Sequence, residues 1–234
     1  MTDKRIVLVT GASRGIGRAA VLELARRGHH AIGLARSQKA LEALDDDVKA
    51  LGSAATFVPM DLTDGKAIDA LGQILNDRFG RLDGLLGNAG VLGTLGPLQT
   101  VKPRSFDETI AVNLTANWRL IRAMAPLLAE SQAPRAVFVT SGVVPRPRAF
   151  CGPYQASKAG LEAMVAAWAD ENENQKLRVN LYDPGATRTE MRFDAMPGED
   201  PNTLPAPVEV AGPMIELLEP AETRTGARIA FREL

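Results

Sequence analysis

The chain has 234 residues, 45% hydrophobic and 24% charged, a composition that suits a globular domain and excludes a disordered or fibrous chain. Its formal net charge of −1 supplies no overall attraction to nucleic acid or to an anionic membrane, so neither is expected as a partner. One cysteine and two adjacent histidines leave no internal disulfide and no metal site, and without an apolar run of about 18 residues the chain reads as cytoplasmic.

Short β-rich runs alternate with stretches of helical period. Strands are predicted at residues 6–10, 31–34, 55–58, 84–86, 136–140, 178–182 and 228–231, with His29 and His30 at the start of the second. Between them, Ile68, Leu71, Leu75 and Phe79 keep helical spacing, as do Leu161, Met164, Val165 and Trp168. The alternation predicts an α/β fold, a doubly wound parallel sheet of about seven strands with helices on both faces. Residues 1–234 are expected to form one such Rossmann-like domain. Residues 184–207, rich in Pro and polar side chains, are long for a connection and are expected to act as a substrate lid within it. The helix at 154–170 is apolar nearly all round, and "NLTANWRLIRAMAPLLA" shows the same excess. Outer helices of this kind predict a subunit interface on the elements that hold Trp118 and Trp168.

Two local patterns carry chemistry. In "VLVTGASRGIG" a strand runs into Gly11, Gly15 and Gly17 and then a helix. Glycines let the backbone approach a pyrophosphate, and the helix N-terminus presents free N–H groups to it. A glycine pattern alone also suits a structural turn. In "CGPYQASKAG", Tyr154 and Lys158 stand four residues apart, on one face of a helix. A surface pair is the other reading.

Read with these, Asp61 in "MDL", "GNAG" at 87–90, Asn113 in "AVNL", Ser141 and "DPGATRT" follow an order that resembles the short-chain dehydrogenase/reductase family over essentially the whole chain. The resemblance implies a dinucleotide held by Gly11, Ser13, Arg14, Gly15, Ile16 and Gly17, by Arg36, Asp61 and Leu62 at the adenosine end, and by Asn88, Ala89 and Gly90. Pro184, Gly185, Thr187 and Thr189, with Tyr154 and Lys158, complete the implied cofactor set. It implies Tyr154 as general acid/base, Lys158 as its partner, Ser141 as the holder of the substrate oxygen, and Asn113 as a link through water to the lysine. Ala35 stands where an NAD-using member holds an aspartate, and Arg14 and Arg36 match the NADP pattern, so NADP is the expected cofactor. The expected substrate is a small carbonyl or alcohol, and the expected assembly a homodimer or homotetramer. Two departures stand out: Gly87 replaces the first asparagine of the family's NNAG, and "ARIAFREL" lacks the common VDGG-like tail. Cys151 is expected to be a small apolar filler.

Electrostatics gives the tyrosine–lysine pair a role. Lowering a phenol by about 3 pH units requires about 4 kcal/mol in favour of the phenolate. One ammonium about 4 Å away, at an effective dielectric near 20, supplies roughly that amount. The expectation is therefore a Tyr154 whose pKa is depressed by Lys158. Val143, Val144, Met191, Phe193 and Met196 suggest a partly apolar substrate pocket, with Arg146 and Arg148 available to an acidic group or to solvent. A non-catalytic dinucleotide-binding sensor or scaffold is the alternative, and it would have no need of Asn113, Ser141, Tyr154 and Lys158 together. An epimerase or dehydratase of the related extended group would carry a sizeable C-terminal substrate domain, which this length does not accommodate.

Overall fold

The structure is a computed structural model that describes residues 4–233. Seven strands form one parallel sheet in the order β3-β2-β1-β4-β5-β6-β7. They are β1 (Ile6–Thr10), β2 (His30–Ala35), β3 (Thr56–Pro59), β4 (Gly84–Gly87), β5 (Arg135–Val139), β6 (Arg178–Asp183) and β7 (Arg228–Ala230). The central strands are buried on both faces, which is why they read as continuous apolar runs rather than alternating ones. The sequence-predicted strands are all present, with ends displaced by at most one residue.

Helices cover both faces. On one lie α1 (Gly15–Arg26), α2 (Gln38–Ala50) and α8 (Pro207–Glu216), whose Val21, Leu24, Leu44 and Met214 pack with Val7 and Val9. On the other lie α3 (Gly65–Phe79), α5 (Ala116–Ala129) and α6 (Gly152–Glu171), whose Leu71, Leu120 and Leu161 pack with Leu8, Leu85 and Phe138. Strand order reverses beside β1, between β2 and β4. The connections on either side of that point diverge and leave a crevice at the carboxyl ends of the strands.

Two expectations about the helices need correction. Trp168 is not on an outer face: it is 8% exposed and meets Phe138 edge-on at 6.2 Å, inside the core. Before its last residues, Asp170 and Glu171, α6 turns small residues to solvent, Ala156, Ala159, Ala163, Ala166 and Ala167, while Trp118 on α5 is 46% exposed. The segment 184–207 is not irregular throughout. It contains α7 (Glu190–Ala195) and a 3-10 turn at Pro201–Thr203, and Arg192 grips Glu199 through two hydrogen bonds of 2.5 and 2.6 Å.

Ahead of α5, α4 (Pro103–Ile110) runs into one turn of π-helix at Ala111–Thr115. The wider turn frees the carbonyl of Asn113, and the Asn117 side-chain amide takes it up at 2.8 Å.

Candidate active site

The glycine loop is shaped by what a side chain would strike. Gly11 and Gly15 have φ of 69° and 55°, a region that suits glycine. A Cβ on Gly17 would collide with the Gly11 carbonyl and stand 2.5 Å from Asn88 Nδ2. Asn88 is held there because its amide donates to the Thr10 carbonyl at 2.8 Å, while Thr10 Oγ1 accepts from the backbone N–H groups of Asn88 and Ala89 at 3.0 and 2.9 Å. The "GNAG" turn is thereby fastened to the loop that opens α1. Arg14 caps α1 in an extended conformation with no side-chain cap bond, which leaves the first-turn N–H groups facing the crevice.

At the end of the crevice that the family resemblance gives to adenosine, Ala35 closes β2 and Arg36 follows it, exposed. Asp61 accepts from the Thr63 N–H and hydroxyl, both at 2.9 Å, and these bonds hold its carboxyl below the ordinary range, with a further contribution from Arg36. Arg14, which matches the NADP pattern together with Arg36, is ion-paired with Glu190 of α7.

At the other end, α6 brings Tyr154 and Lys158 into the crevice. Ser141 and Tyr154 line the same cavity, and Ser141 stands near enough to the Tyr154 phenol to favour its ionised form. Lys158 is 3% exposed and donates to the Val139 carbonyl at 2.7 Å. Its Nζ stands 5.9 Å from the centre of the Tyr154 ring. Asn113 is buried in the π turn. Its Oδ1 accepts from Val91 N–H at 2.8 Å, and its Nδ2 donates to the Val91 carbonyl and to Ser157 Oγ, each at 2.9 Å. Ser157 Oγ in turn donates to the Tyr154 carbonyl at 2.7 Å.

The expected depression of the tyrosine is not found. Burial pushes the Tyr154 phenol up to about 12 against a smaller opposing effect of Ser141, and Asp183 raises it further. Burial also pushes Lys158 down to about 8, opposed by Glu162. The reason is geometric: the ammonium is turned to a backbone carbonyl rather than to the phenol oxygen, and both groups lie in a medium that disfavours charge.

Behind them, β6 ends in Asp183-Pro184-Gly185. Asp183 Oδ1 accepts from Gly185 N–H at 3.0 Å, Thr187 Oγ1 donates to the Pro184 carbonyl at 3.2 Å, and Thr189 caps α7 by accepting from Arg192 N–H. Thr189 also roofs the glycine loop, its methyl 3.4 Å from where a Cβ of Gly15 would sit.

A single cavity of about 1100 Å³ joins all these parts. Every sequence-predicted site residue lines it except Gly17 and Asn113, which lie behind the lining. Val143, Met191 and Met196 line it too; Val144 does not, and Phe193, 63% exposed, faces a separate shallow groove. Arg146 and Arg148 stand on the wall with no ion pair closer than 4.0 Å among the described residues. Sequence reasoning missed Asp183, Arg228 and Arg232 as lining residues. Asp183 could have been found as the residue before the Pro-Gly turn, whereas Arg228 belongs to no motif.

The short chain dehydrogenase family profile matches residues 5–200. The chain belongs to the short-chain dehydrogenase/reductase family. Among proteins of this family, it is 38% identical to the oxidoreductase YciK of Escherichia coli K12 over 213 residues, covering 90% of this chain and 84% of that one. It is 30% identical to the NADPH-dependent pterin aldehyde reductase of Arabidopsis thaliana over 187 residues, 80% of this chain and 76% of that one. A short chain dehydrogenase of Shigella flexneri 2a, crystallised with NADP, superposes with a TM-score of 0.93 at 36% identity, covering 98% of this chain and 97% of that one. The family is one of oxidoreductases, which settles the enzyme class of this chain.

Proposed function

We propose that the chain is an NADP(H)-dependent oxidoreductase that interconverts a carbonyl and a secondary alcohol, with Tyr154 as general acid and base. The observation that carries this reading is the meeting of Tyr154, Ser141 and buried Lys158 in the cavity that begins at the glycine loop. The cofactor assignment is supported by the glycine cradle, by Ala35 and Arg36 at the end of β2, and by the NADP bound to the Shigella relative. NADP, when bound, supplies or accepts the hydride.

In reduction, the Ser141 hydroxyl holds the carbonyl oxygen and the Tyr154 phenol gives it a proton. A phenol pushed up to about 12 is fully protonated at neutral pH and so begins in the state that reduction requires. The phenolate left behind is stabilised by the Lys158 ammonium one helical turn away. Asn113, by clamping Val91 and Ser157, fixes the wall from which water reaches that ammonium. In alcohol oxidation the proton runs the other way. The substrate is a small molecule that fits beside Val143, Met191 and Met196. The enzyme acts in the cytoplasm, consistent with its single free cysteine, and as a homodimer or homotetramer.

The test is a panel of carbonyl compounds followed by the loss of reduced-nicotinamide absorbance, with the unmodified protein beside Tyr154→Phe. Tyr154→Phe is expected to keep NADPH affinity and lose about two to four orders of magnitude in turnover. Full turnover in that variant would overturn the assignment.

A further inference from the structure

Arg228, at the start of β7, reaches three elements of the site at once. Its Nε donates to Glu162 Oε1 of α6 at 3.0 Å, and its Nη2 donates to the Ser141 carbonyl at 3.2 Å and to Asp183 Oδ2 at 2.9 Å. Glu162 lies one turn beyond Lys158 and also accepts from Thr140 Oγ1 at 2.5 Å, so its carboxylate bridges the end of β5 and the helix that carries the tyrosine and lysine. Asp183 lies close enough to Tyr154 to raise its phenol, and Glu162 acts in the same direction on Lys158. Two carboxylates thus stand behind the reacting groups, and one guanidinium serves both while gripping the backbone of the residue that faces the tyrosine.

We propose that Arg228 is a positioning residue, which fixes Ser141 against Tyr154 and offsets the charges of Glu162 and Asp183 behind the Tyr154–Lys158 pair. The proposal rests on the reading that this pair manages the proton. The side-chain geometry suits this role, because a planar fork can hold two carboxylates and a carbonyl in one plane, which a lysine cannot. The titratable and charged groups near the pair are Glu162 on its own helix, Asp183 from β6, Arg228 from β7 and Cys151 at the helix start. Asn113 and Gly90, facing Lys158 from the other side, carry no charge. Removing a cation from this set raises the pKa of each neighbour, and removing a carboxylate lowers it.

The experiment follows the lysine side chains by NMR in protein labelled at the lysine ε-carbon. The chain has seven lysines, and only Lys158 is pushed down to about 8. Arg228→Gln is expected to raise the Lys158 midpoint by about one pH unit, and Arg228→Lys by less, because it keeps the charge and loses the fork. Glu162→Gln alone should lower the midpoint, and Arg228→Gln with Glu162→Gln should return it toward 8. An unmoved midpoint in Arg228→Gln, with only a lower Tm, would overturn the proposal. If Arg228→Gln does not fold, an unmoved midpoint in Glu162→Gln overturns it equally. NADPH affinity is measured for each variant, and failure of the unmodified protein to bind NADPH would sink the functional reading instead.

Discussion

The ring of Phe138 on β5 occupies the space that a side chain at Gly87 on β4 would need, and Asn117 Oδ1 stands 2.7 Å from the same point. This explains why the chain can lack the family's first asparagine: the sheet end is filled from the neighbouring strand. Gly87→Asn, though it restores the family residue, is expected to overpack this fully buried spot and to destabilise by about 1–3 kcal/mol. Thermal unfolding should show a Tm lower by several degrees; an unchanged or higher Tm would show that Phe138 can move aside.

The expected preference for NADP rests on Arg36 and on the absence of a carboxylate at Ala35, because Arg14 is engaged by Glu190. With Arg14 held by Glu190, the charge-assisted contact left to Arg36, about 1.5–3 kcal/mol before trimming for exposure, predicts NADPH binding tighter than NADH by about ten- to a hundredfold at low salt. Arg36→Ala should remove much of that preference, and adding Ala35→Asp should reverse it. Because the Arg14–Glu190 pair is exposed, Glu190→Gln should release Arg14 and tighten NADPH by no more than about fivefold. Fluorescence titration of both reduced cofactors checks all four proteins. Equal affinities in the unmodified protein would refute the role given to Arg36.

Lys158 makes folding stability depend on pH in a direction set by its depressed pKa. Between pH about 8 and its ordinary value near 10.4, the unfolded chain binds a proton at this site that the folded chain does not. Stability contributed by this site therefore rises with pH across that window and is at its minimum below it. Tm measured from pH 7 to 10 should climb more steeply in the unmodified protein than in Lys158→Met. Lys158→Met should also lose turnover and NADPH affinity. Parallel Tm curves would mean that Lys158 titrates alike in both states.

The alanine face of α6 and the exposed Trp118 adjoin through Leu114, which sits one turn before Trp118 and would lie 3.0 Å from a Cβ on Gly160. Small residues beside an exposed tryptophan would allow two copies to approach closely, and an oligomer is expected to form there. Light scattering at micromolar concentration is expected to give a multiple of 25.0 kDa, and Trp118→Glu to reduce it. A monomer mass for the unmodified protein would refute the assembly.

The sheet was legible because its central strands are short apolar runs between helical periods, and the cavity's glycine-loop end because Gly11, Gly15 and Gly17 follow the first of them. Other features depend on partners distant in sequence. The π turn at Ala111–Thr115 carries no breaker residue and is closed by Asn117. Trp168 could not be placed on a face, because a helix rich in alanine has no polar side to orient it; packing against Phe138 decides the matter. Arg14 and Glu190 pair across 176 positions of chain, and Arg228 reaches Ser141 across 87. The Tyr154–Lys158 spacing put both residues on one helix beside the cavity, but gave no sign of the Val139 carbonyl to which the ammonium donates.

The chain has only two tyrosines, and the second, Tyr182, has no accessible surface and spends its hydroxyl on the Val210 carbonyl at 3.0 Å. Burial and Asp183 push that phenol up as well. Tyr154 is therefore the tyrosine that lines the cavity, and a tyrosine absorbance change on binding a cofactor or substrate there belongs to it. The protein carries its own optical indicator at the site of proton exchange, readable without a label and without knowledge of the substrate.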